Sequence, residues 1–372
     1  MKPSACHADI VGLGEVRPAP APVSRPAPAA IAQTQWQAYR LEAATEQSLL
    51  PAERVKRLGR GQAMAIGAVG RAVQSCAAPP EKSGATAICL GSGWAEEGDE
   101  ICFLENLVKF GEKGAKPAFF VNSVHNARAS QVALNHGFRG ENQTFTHDAL
   151  SFESALWQGA RLLCAGRARH AAVVGVDALC EFLEIHGHLL GYLGTSSSPL
   201  SPLSGQTMQG SLPGEGAAAF ILAPAGSTDR PLARVVGVRA RGPLTRAPAL
   251  DAKAELAFVE QAAADIGVKL ADVGLFVLGA NGDSALEPIY AAVAEGLRRA
   301  APKAGVGVYR HLTGDYATAS ALGFALAVRA VHQQSVPAEL RLVGDAPGAP
   351  LTTALLYHVS RLGHHSVMVV SA

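Results

Sequence analysis

Residues 141–179 read ENQTFTHDALSFESALWQGARLLCAGRARHAAVVGVDAL. Apolar residues recur at helical spacing from Ser151 to Ala165, and Gly166 ends the run. Ala171-Ala172-Val173-Val174-Gly175-Val176 follows without polar alternation, which predicts a strand covered on both faces. A helix feeding a doubly covered strand belongs to the α/β class, with helices on both faces of the sheet.

The same grammar extends outward. Ile10 to Gly14 predicts a first strand and turn, and the Pro/Ala-rich segment 17–30 predicts neither helix nor central strand but a surface excursion. A helix is expected over 53–74, a buried strand over Thr86 to Leu90, and a helix over Asn122 to His136, stopped by Gly137. Glu181 to Tyr192 reads as a helix, residues 194–213 as a serine- and proline-rich excursion, and Ala217 to Leu222 as a strand. The second half repeats the order: strand 233–238, helix 254–266, strand 275–278, helix 286–300, strand 306–309, helix 316–333, then strands 353–358 and 366–370. Both halves run roughly β-α-β-α-β-α-β-β.

Residues 141–179 resemble the part of the β-ketoacyl synthases, in the thiolase superfamily, that runs from the nucleophile elbow T-A-C-x-S through a helix to G-R-A-x and a buried strand. Three further pieces follow in family order. Pro213-Gly214-Glu215-Gly216-Ala217-Ala218-Ala219-Phe220-Ile221-Leu222 is similar to the G-E-G-A-A-x-x-x-L strand. Gly279 to Asp283 stands in the place of H-G-T-G-T, and Arg310 to Asp315 in the place of K-x-x-x-G-H. At the end, Ser360 to His365 occupies the place of the S-F-G-F-G-G-T-N loop. The resemblance implies a thiolase fold, with duplicated halves (1–228 and 229–372) in a five-layer α-β-α-β-α arrangement. It also implies a site where the halves meet and dimerisation through the strand before the G-E-G-A segment, which here is residues 171–176.

The chemistry that the resemblance implies is absent from its positions. A ketosynthase needs a cysteine nucleophile to hold the acyl chain. It needs two histidines to stabilise an enolate and a lysine that supports the site. Counting back seventeen residues from Gly166, as in the family, reaches Ala149; the neighbours Asp148 and Leu150 supply no thiol either. The first histidine position maps to Asn281, or to Ala280 if the loop slips by one, the second to Asp315, and the lysine to Arg310. Asparagine carries no proton at neutral pH, and an ionised aspartate repels an enolate. Condensation by this chain alone is therefore not expected.

Two readings stay open for His147 and Asp148. They are a replacement acid–base pair, acting with Asp315 or Asn281, or they fill the emptied pocket while Asp148 caps the helix that starts near Ser151. Glu153 and Ser154 lie on that helix, facing a neighbouring subunit or solvent. His364 and His365, after Gly363, replace glycines of the loop that in condensing enzymes moves during acyl entry; they close a gate or lie on the surface. His311, four residues before Asp315, reads as a helix-start contact. His186 and His188 diverge on a helix without a third ligand, so no metal is expected, and no other cofactor is called for. Thr195 to Ser198, with Ser201 and Ser204, makes a polar loop without the G-x-S-x-G turn of a serine hydrolase.

In 372 residues, 48% are hydrophobic and 6% aromatic, enough for a large, closely packed core. A net charge of +1 advertises no nucleic-acid or acidic-lipid face. Six cysteines without CxxC or framework spacing read as reduced thiols. No secretory leader or span of about 18 apolar residues is seen, so a cytoplasmic protein is expected. The expectation is a pseudoenzyme resembling the chain-length factors of type II polyketide and aryl polyene systems. Such a subunit pairs with an active ketosynthase, or with itself, serves acyl carrier protein in fatty acid or polyketide biosynthesis, and bounds the acyl tunnel. Tunnel residues are sought at Gln131 to His136 and at Phe152 and Glu153. The competing expectations are a repurposed thiolase-fold enzyme, using His147, Asp148 and Asp315 on an acyl thioester, and a scaffold homodimer.

Overall fold

The helix read from residues 151–165 forms, and it lies between two sheets. In the computed structural model, residues 6–26, 35–49, 58–82, 84–94, 96–194, 200–242, 250–348 and 350–372 are described. In chain order the elements begin with β1 (Ala8–Val16), β2 (Val23–Pro26), β3 (Gln35–Ala38), α1 (Ala43–Ser48), α2 (Arg60–Ser75) and β4 (Thr86–Gly91). Then come α3 (Glu97–Phe110), α4 (Pro117–Ser123), α5 (Ala127–His136), β5 (Asn142–Phe145), α6 (Ser151–Cys164), β6 (His170–Asp177), α7 (Glu181–Leu189) and β7 (Gly216–Pro224). The second half holds β8 (Ala233–Arg241), α8 (Ala252–Ile266), β9 (Leu275–Leu278), α9 (Glu287–Ala300), β10 (Gly305–Val308) and α10 (Ser320–Gln333). It ends with β11 (Arg341–Leu342), β12 (Thr353–Val359) and β13 (His365–Ser371).

The strands hydrogen-bond in the order β11-β10-β9-β12-β13-β8-β1-β7-β6-β4-β5. The continuity is local: β1 pairs along its length with β7, but with β8 only over Ala8 to Ile10. Each side of that seam therefore acts as a sheet of its own half. Helices α6 and α10 touch strands of both halves and form the middle layer. Outside, α2 and α5 cover the first half, and α8 and α9 the second. The result is the five-layer α-β-α-β-α body of the thiolase fold.

Side-chain alternation explains why the strands lack polar residues. In β6, Ala171 and Val173 enter the central core while Ala172, Val174 and Val176 face α2. In β9, Leu275 and Val277 point inward and Phe276 and Leu278 outward toward α8 and α9. Both faces are covered, so both need apolar residues. Gly12 and Gly14 have a separate reason. A Cβ on them would stand 2.3 Å from Ala72 O and 2.2 Å from Ala68 O, because the α2 backbone lies directly on β1.

Several expectations change. The first strand continues through Gly14 to Val16 rather than turning there. The helix read over 122–136 is two, α4 and α5, broken at Val124, and residues 97–110, which the sequence reading did not assign, form α3. Helix 316–333 starts at Ser320. In the Pro/Ala-rich segment, Val23–Pro26 pairs with Gln35–Ala38 as a separate ribbon, while 27–30 lie outside the described residues, as do 53–57 of the expected first helix and Thr195 to Ser198. The strand expected to join two subunits, 171–176, is paired by β4 on one side and β7 on the other. The edge of that sheet is β5.

Asp177, at the end of β6, joins the halves. It is fully buried and accepts hydrogen bonds from Ser92 Oγ (2.9 Å), Trp94 N (3.0 Å), Thr318 N (2.9 Å) and Thr318 Oγ1 (2.8 Å). Arg128, 1% exposed, lies 3.8 Å from it and pairs with Glu96 at 3.0 Å. Replacing Asp177 with Ala strands these buried donors and Arg128 and is expected to cost about 3–5 kcal/mol, read as a lower urea midpoint. Asp177→Asn, which keeps an acceptor, should cost less.

Candidate functional site

Strands β10, β9 and β12 lie side by side and parallel, so their carboxyl ends open onto one edge. The segments leaving them carry Arg310 and Asp315, Asn281 and Asp283, and His358 to Leu362. The turn from β5 into α6, with Asp148 and Ala149, meets them from the other half. These residues and α7 enclose a cavity of about 310 Å³, whose apolar wall includes Leu183, Leu190, Leu193, Leu286 and Leu362. The cavity thus gathers Ala149, Asn281, Arg310 and Asp315, the four positions that sequence alignment by motif assigned to the family's reacting groups, together with Asp148.

Most of their polar groups bond one another or the nearby backbone, although Arg310 Nε has no hydrogen-bond partner among the described residues. Arg310, 1% exposed, donates to Asp315 Oδ1 at 2.6 Å and to Tyr316 O at 3.2 Å. Asn281 Nδ2 donates to Asp315 Oδ2 at 2.7 Å, and Ser211 Oγ donates to Asn281 O at 2.8 Å. Burial opposes the Arg310 charge, but Tyr309 and Asp315 beside it hold the guanidinium protonated. Arg310 also faces His358 Nδ1 at 3.3 Å. Burial first, then the Arg310 charge, pushes His358 well below the ordinary imidazole range, so it is neutral. With Nδ1 against a guanidinium, the ring proton sits on Nε2, which is buried and has no hydrogen-bond partner among the described residues. On the far wall Arg361 forks onto Asp283 and donates to Gly191 O at 2.8 Å.

The elbow keeps an unusual backbone. Asp148 has φ +44°, a left-handed conformation that non-glycine residues adopt sparingly. Ala149 behind it is 5% exposed. Asp148 does not cap α6: its side chain makes no cap hydrogen bond, and Ser151 Oγ accepts from His147 N instead while donating to Asp148 O. Asp148 pairs with His364 Nδ1 at 3.2 Å, and the His147 ring stands edge-on to His364 at 5.6 Å. Ser360 Oγ also reaches His364, at 3.3 Å, but at the same Nδ1. One nitrogen cannot accept from the serine and donate to the aspartate at once, so no relay is set.

Other expected residues lie elsewhere. His147 is near the elbow but does not line the cavity. Phe152 is fully buried against Phe220 and Phe324 in the central core. Gln131 and His136 sit on α5, where the His136 ring bonds Ile66 O at 3.1 Å. Glu153 faces neither solvent nor an outer surface but Ser366, which donates to it at 3.0 Å. Gly363 and His364 belong to the turn before β13, but His365 is the first residue of that strand, buried and bonded to Glu255 at 2.6 Å. It is not part of a loop. His311 makes no contact with Asp315; Arg310 does, and burial pushes His311 down to about 4. His186 lines the cavity, while His188 bonds Leu193 O at 2.9 Å. Among the described residues no group of three His, Cys, Asp or Glu is placed to hold a metal, and no helix is long and apolar enough to cross a membrane.

Sequence reading missed His358, Asp283 and Arg361. His358 carries a signal in retrospect, as a lone histidine in the apolar run 354–359. The Asp283–Arg361 pair spans 78 residues and leaves no local trace.

The family model described as Beta-ketoacyl synthase, N-terminal domain, matches residues 26–226, just over half of the chain. No curated protein matches it by sequence. Among solved structures, the ishigamide ketosynthase/chain length factor superposes with a TM-score of 0.78 at 16% identity, covering 99% of this chain and 100% of its own. A β-ketoacyl synthase from Burkholderia phymatum gives 0.80 at 14% identity, over 98% and 99% of the two chains. A type II PKS acyl-carrier protein in complex with its ketosynthase bound to the hexaketide gives 0.78 at 15%, over 99% and 100%. At such identities these likenesses speak for the fold.

A cysteine placed at the elbow reports on access. Ala149→Cys is expected to take up a maleimide at residue 149, located by peptide mass spectrometry, because position 149 lines the cavity. Cys76 and Cys89, buried with thiols pushed up to about 11 and about 12, should stay unmodified in the same sample.

Proposed function

The chain belongs to the β-ketoacyl synthase family, and from that membership we propose that it is a non-condensing subunit, similar in role to a chain-length factor, that pairs with an active ketosynthase and helps enclose a carrier-bound acyl chain. The observation that carries this reading is the content of the cavity. No cysteine lines it, Ala149 stands at the nucleophile position, and the Asn281–Asp315–Arg310 chain neutralises its own charges. Without a nucleophile there is no acyl-enzyme. With its donors turned on Asp315, Asn281 offers little to an enolate.

Two further features support the partner. The first-half sheet ends at β5, which among the described residues has one unpaired edge. In the same half, α3 and α4 expose apolar side chains: Val108 is 85% exposed, Phe110 66%, Val121 59% and Phe120 55%. A free strand edge suits strand pairing with a second subunit, and an exposed apolar patch suits burial in an interface. The apolar cavity wall suits an acyl chain.

A second reading has one observation in its favour, namely that the cavity is open and bordered by the Asp148–His364 pair. It is acid–base work on an acyl thioester. The geometry gives Asp148 to His364 rather than to Asp315, so His364 replaces His147 as the partner to test.

The deciding experiment is gentle isolation of the tagged protein from its native host with identification of what accompanies it. The first reading expects a stoichiometric ketosynthase with an intact active cysteine, and no condensation from malonyl-carrier protein by this chain alone. Thr144→Pro, which spoils the β5 edge, should release the companion while circular dichroism stays unchanged. Recovery as a lone homodimer would sink the pairing and favour the second reading.

A further inference from the structure

Two cysteines far apart in the chain meet at the foot of α6. Cys164 is the last residue of that helix, and its Sγ donates to His7 O at 3.6 Å, across a separation of 157 residues. That bond fastens the end of α6 to the peptide that follows Cys6. Cys6 itself packs, half-buried, against the central core and lines a second cavity beside Ala160 and Arg161. Ala160 and Cys164 are four residues apart, so they share one face of α6. Cys6 therefore lies along the last turn of the helix, where its thiol and that of Cys164 are hydrogen-bond partners.

Both are free thiols, and Cys164 is exposed. A disulfide needs two cysteines whose Cα atoms stand about 4–7 Å apart with their Cβ vectors converging. Thiols already in contact meet that demand with little movement of the backbone. Cys76 and Cys89 differ, being buried inside the first half.

We propose that Cys6 and Cys164 form a reversible disulfide, a clasp between the entry to β1 and the end of α6, made by exchange with a small-molecule disulfide of the glutathione class. The exchange balances without a further reactant. One protein thiolate attacks the reagent, giving a mixed disulfide and one reduced glutathione. The other attacks the protein sulfur of that mixed disulfide, closing the Cys6–Cys164 bond and releasing the second glutathione. Two protein thiols are oxidised, one disulfide is reduced, and the two thiol protons pass to the departing thiolates. Burial, and then the Cys6 thiol, pushes Cys164 up to about 11, so little thiolate is present and closure is slow. Slowness does not alter the equilibrium, which the contact between the thiols favours. Closing so long a loop restricts the unfolded chain more than the folded one, so the oxidised form should resist urea better. The clasp acts independently of any pairing with a ketosynthase.

The full chain, equilibrated with oxidised glutathione at pH 8 and then blocked with maleimide, is mapped without reduction by peptide mass spectrometry. A linked peptide pair joining Cys6 to Cys164 is expected, in a species that runs as a single chain on a non-reducing gel and reverts in excess reduced glutathione. Its urea midpoint should exceed that of the reduced chain. Cys164→Ser should remove both the linked pair and the midpoint shift, whereas Cys102→Ser, at an exposed thiol elsewhere, should keep both. The proposal is overturned if Cys6 and Cys164 stay open to maleimide, stop as separate glutathione adducts, or link two chains. A linked pair without a higher midpoint also overturns it, since the thiols would then have been forced together. Should the serine variant fail to fold, the peptide map and midpoint of the unaltered chain still decide.

Discussion

A single buried carboxylate, Asp177, holds the two halves in register. It gathers donors from the end of β4, from Trp94 and from the turn that launches α10, so the central helix of the second half is pinned to a strand of the first. The cavity at the elbow depends on this, because its walls come from both halves. Glu215 repeats the device on a smaller scale. Fully buried, it accepts from Leu41 N and Leu179 N and pairs with Arg60 at 2.7 Å. Both residues belong to stretches that resemble the family's motifs. That explains how a frame persists where the residues at the reacting positions differ: the motif residues that survive carry hydrogen bonds, and buried hydrogen bonds are costly to leave unmade.

Most of the architecture was legible because buried strands leave a strong signature. Residues 86–90, 171–176, 217–222 and 275–278 could be read directly, since a strand with both faces covered admits only apolar and small residues. The errors fall where the signal is weak. Helices α3 and α4 expose Val108, Phe110, Phe120 and Val121, so no clean polar face marked them out. Pairing of β6 on both sides depends on strand order, which local sequence does not encode. At the site, Ala149, Asn281, Arg310 and Asp315 were found by motif spacing and do meet in one cavity. His358 and the Asp283–Arg361 pair were not, because tertiary packing alone brings them there. Asp148 was assigned as a possible cap, but its left-handed backbone turns the carboxylate toward His364 and leaves the first turn of α6 to Ser151.

Charge around the elbow cavity is arranged in closed pairs. Arg310 meets Asp315 and Arg361 meets Asp283, while the His364 ring lies 3.2 Å from the Asp148 carboxylate. The two arginine pairs remove fields that would otherwise act on a bound carbonyl, and the rest of the lining combines five leucines and Val359 with Trp94, Tyr192 and Tyr316. Catalysis by electrostatic stabilisation needs donors aimed at empty space where charge will develop. Here several donors are aimed at fixed neighbours, while His358 Nε2, Tyr316 Oη and Arg310 Nε have no hydrogen-bond partner among the described residues. The space is better suited to holding an apolar chain than to activating it.

The bare edge of β5 has a consequence for the life of the chain outside the folded assembly. Unsatisfied strand edges are templates for self-association, and chaperones and proteases act on such surfaces. On the proposed pairing, a copy made in excess of the partner that covers that edge is exposed to both. Mass action then ties its half-life to the concentration of its cover. Abundance, more than affinity, becomes the quantity that a single strand of four residues regulates.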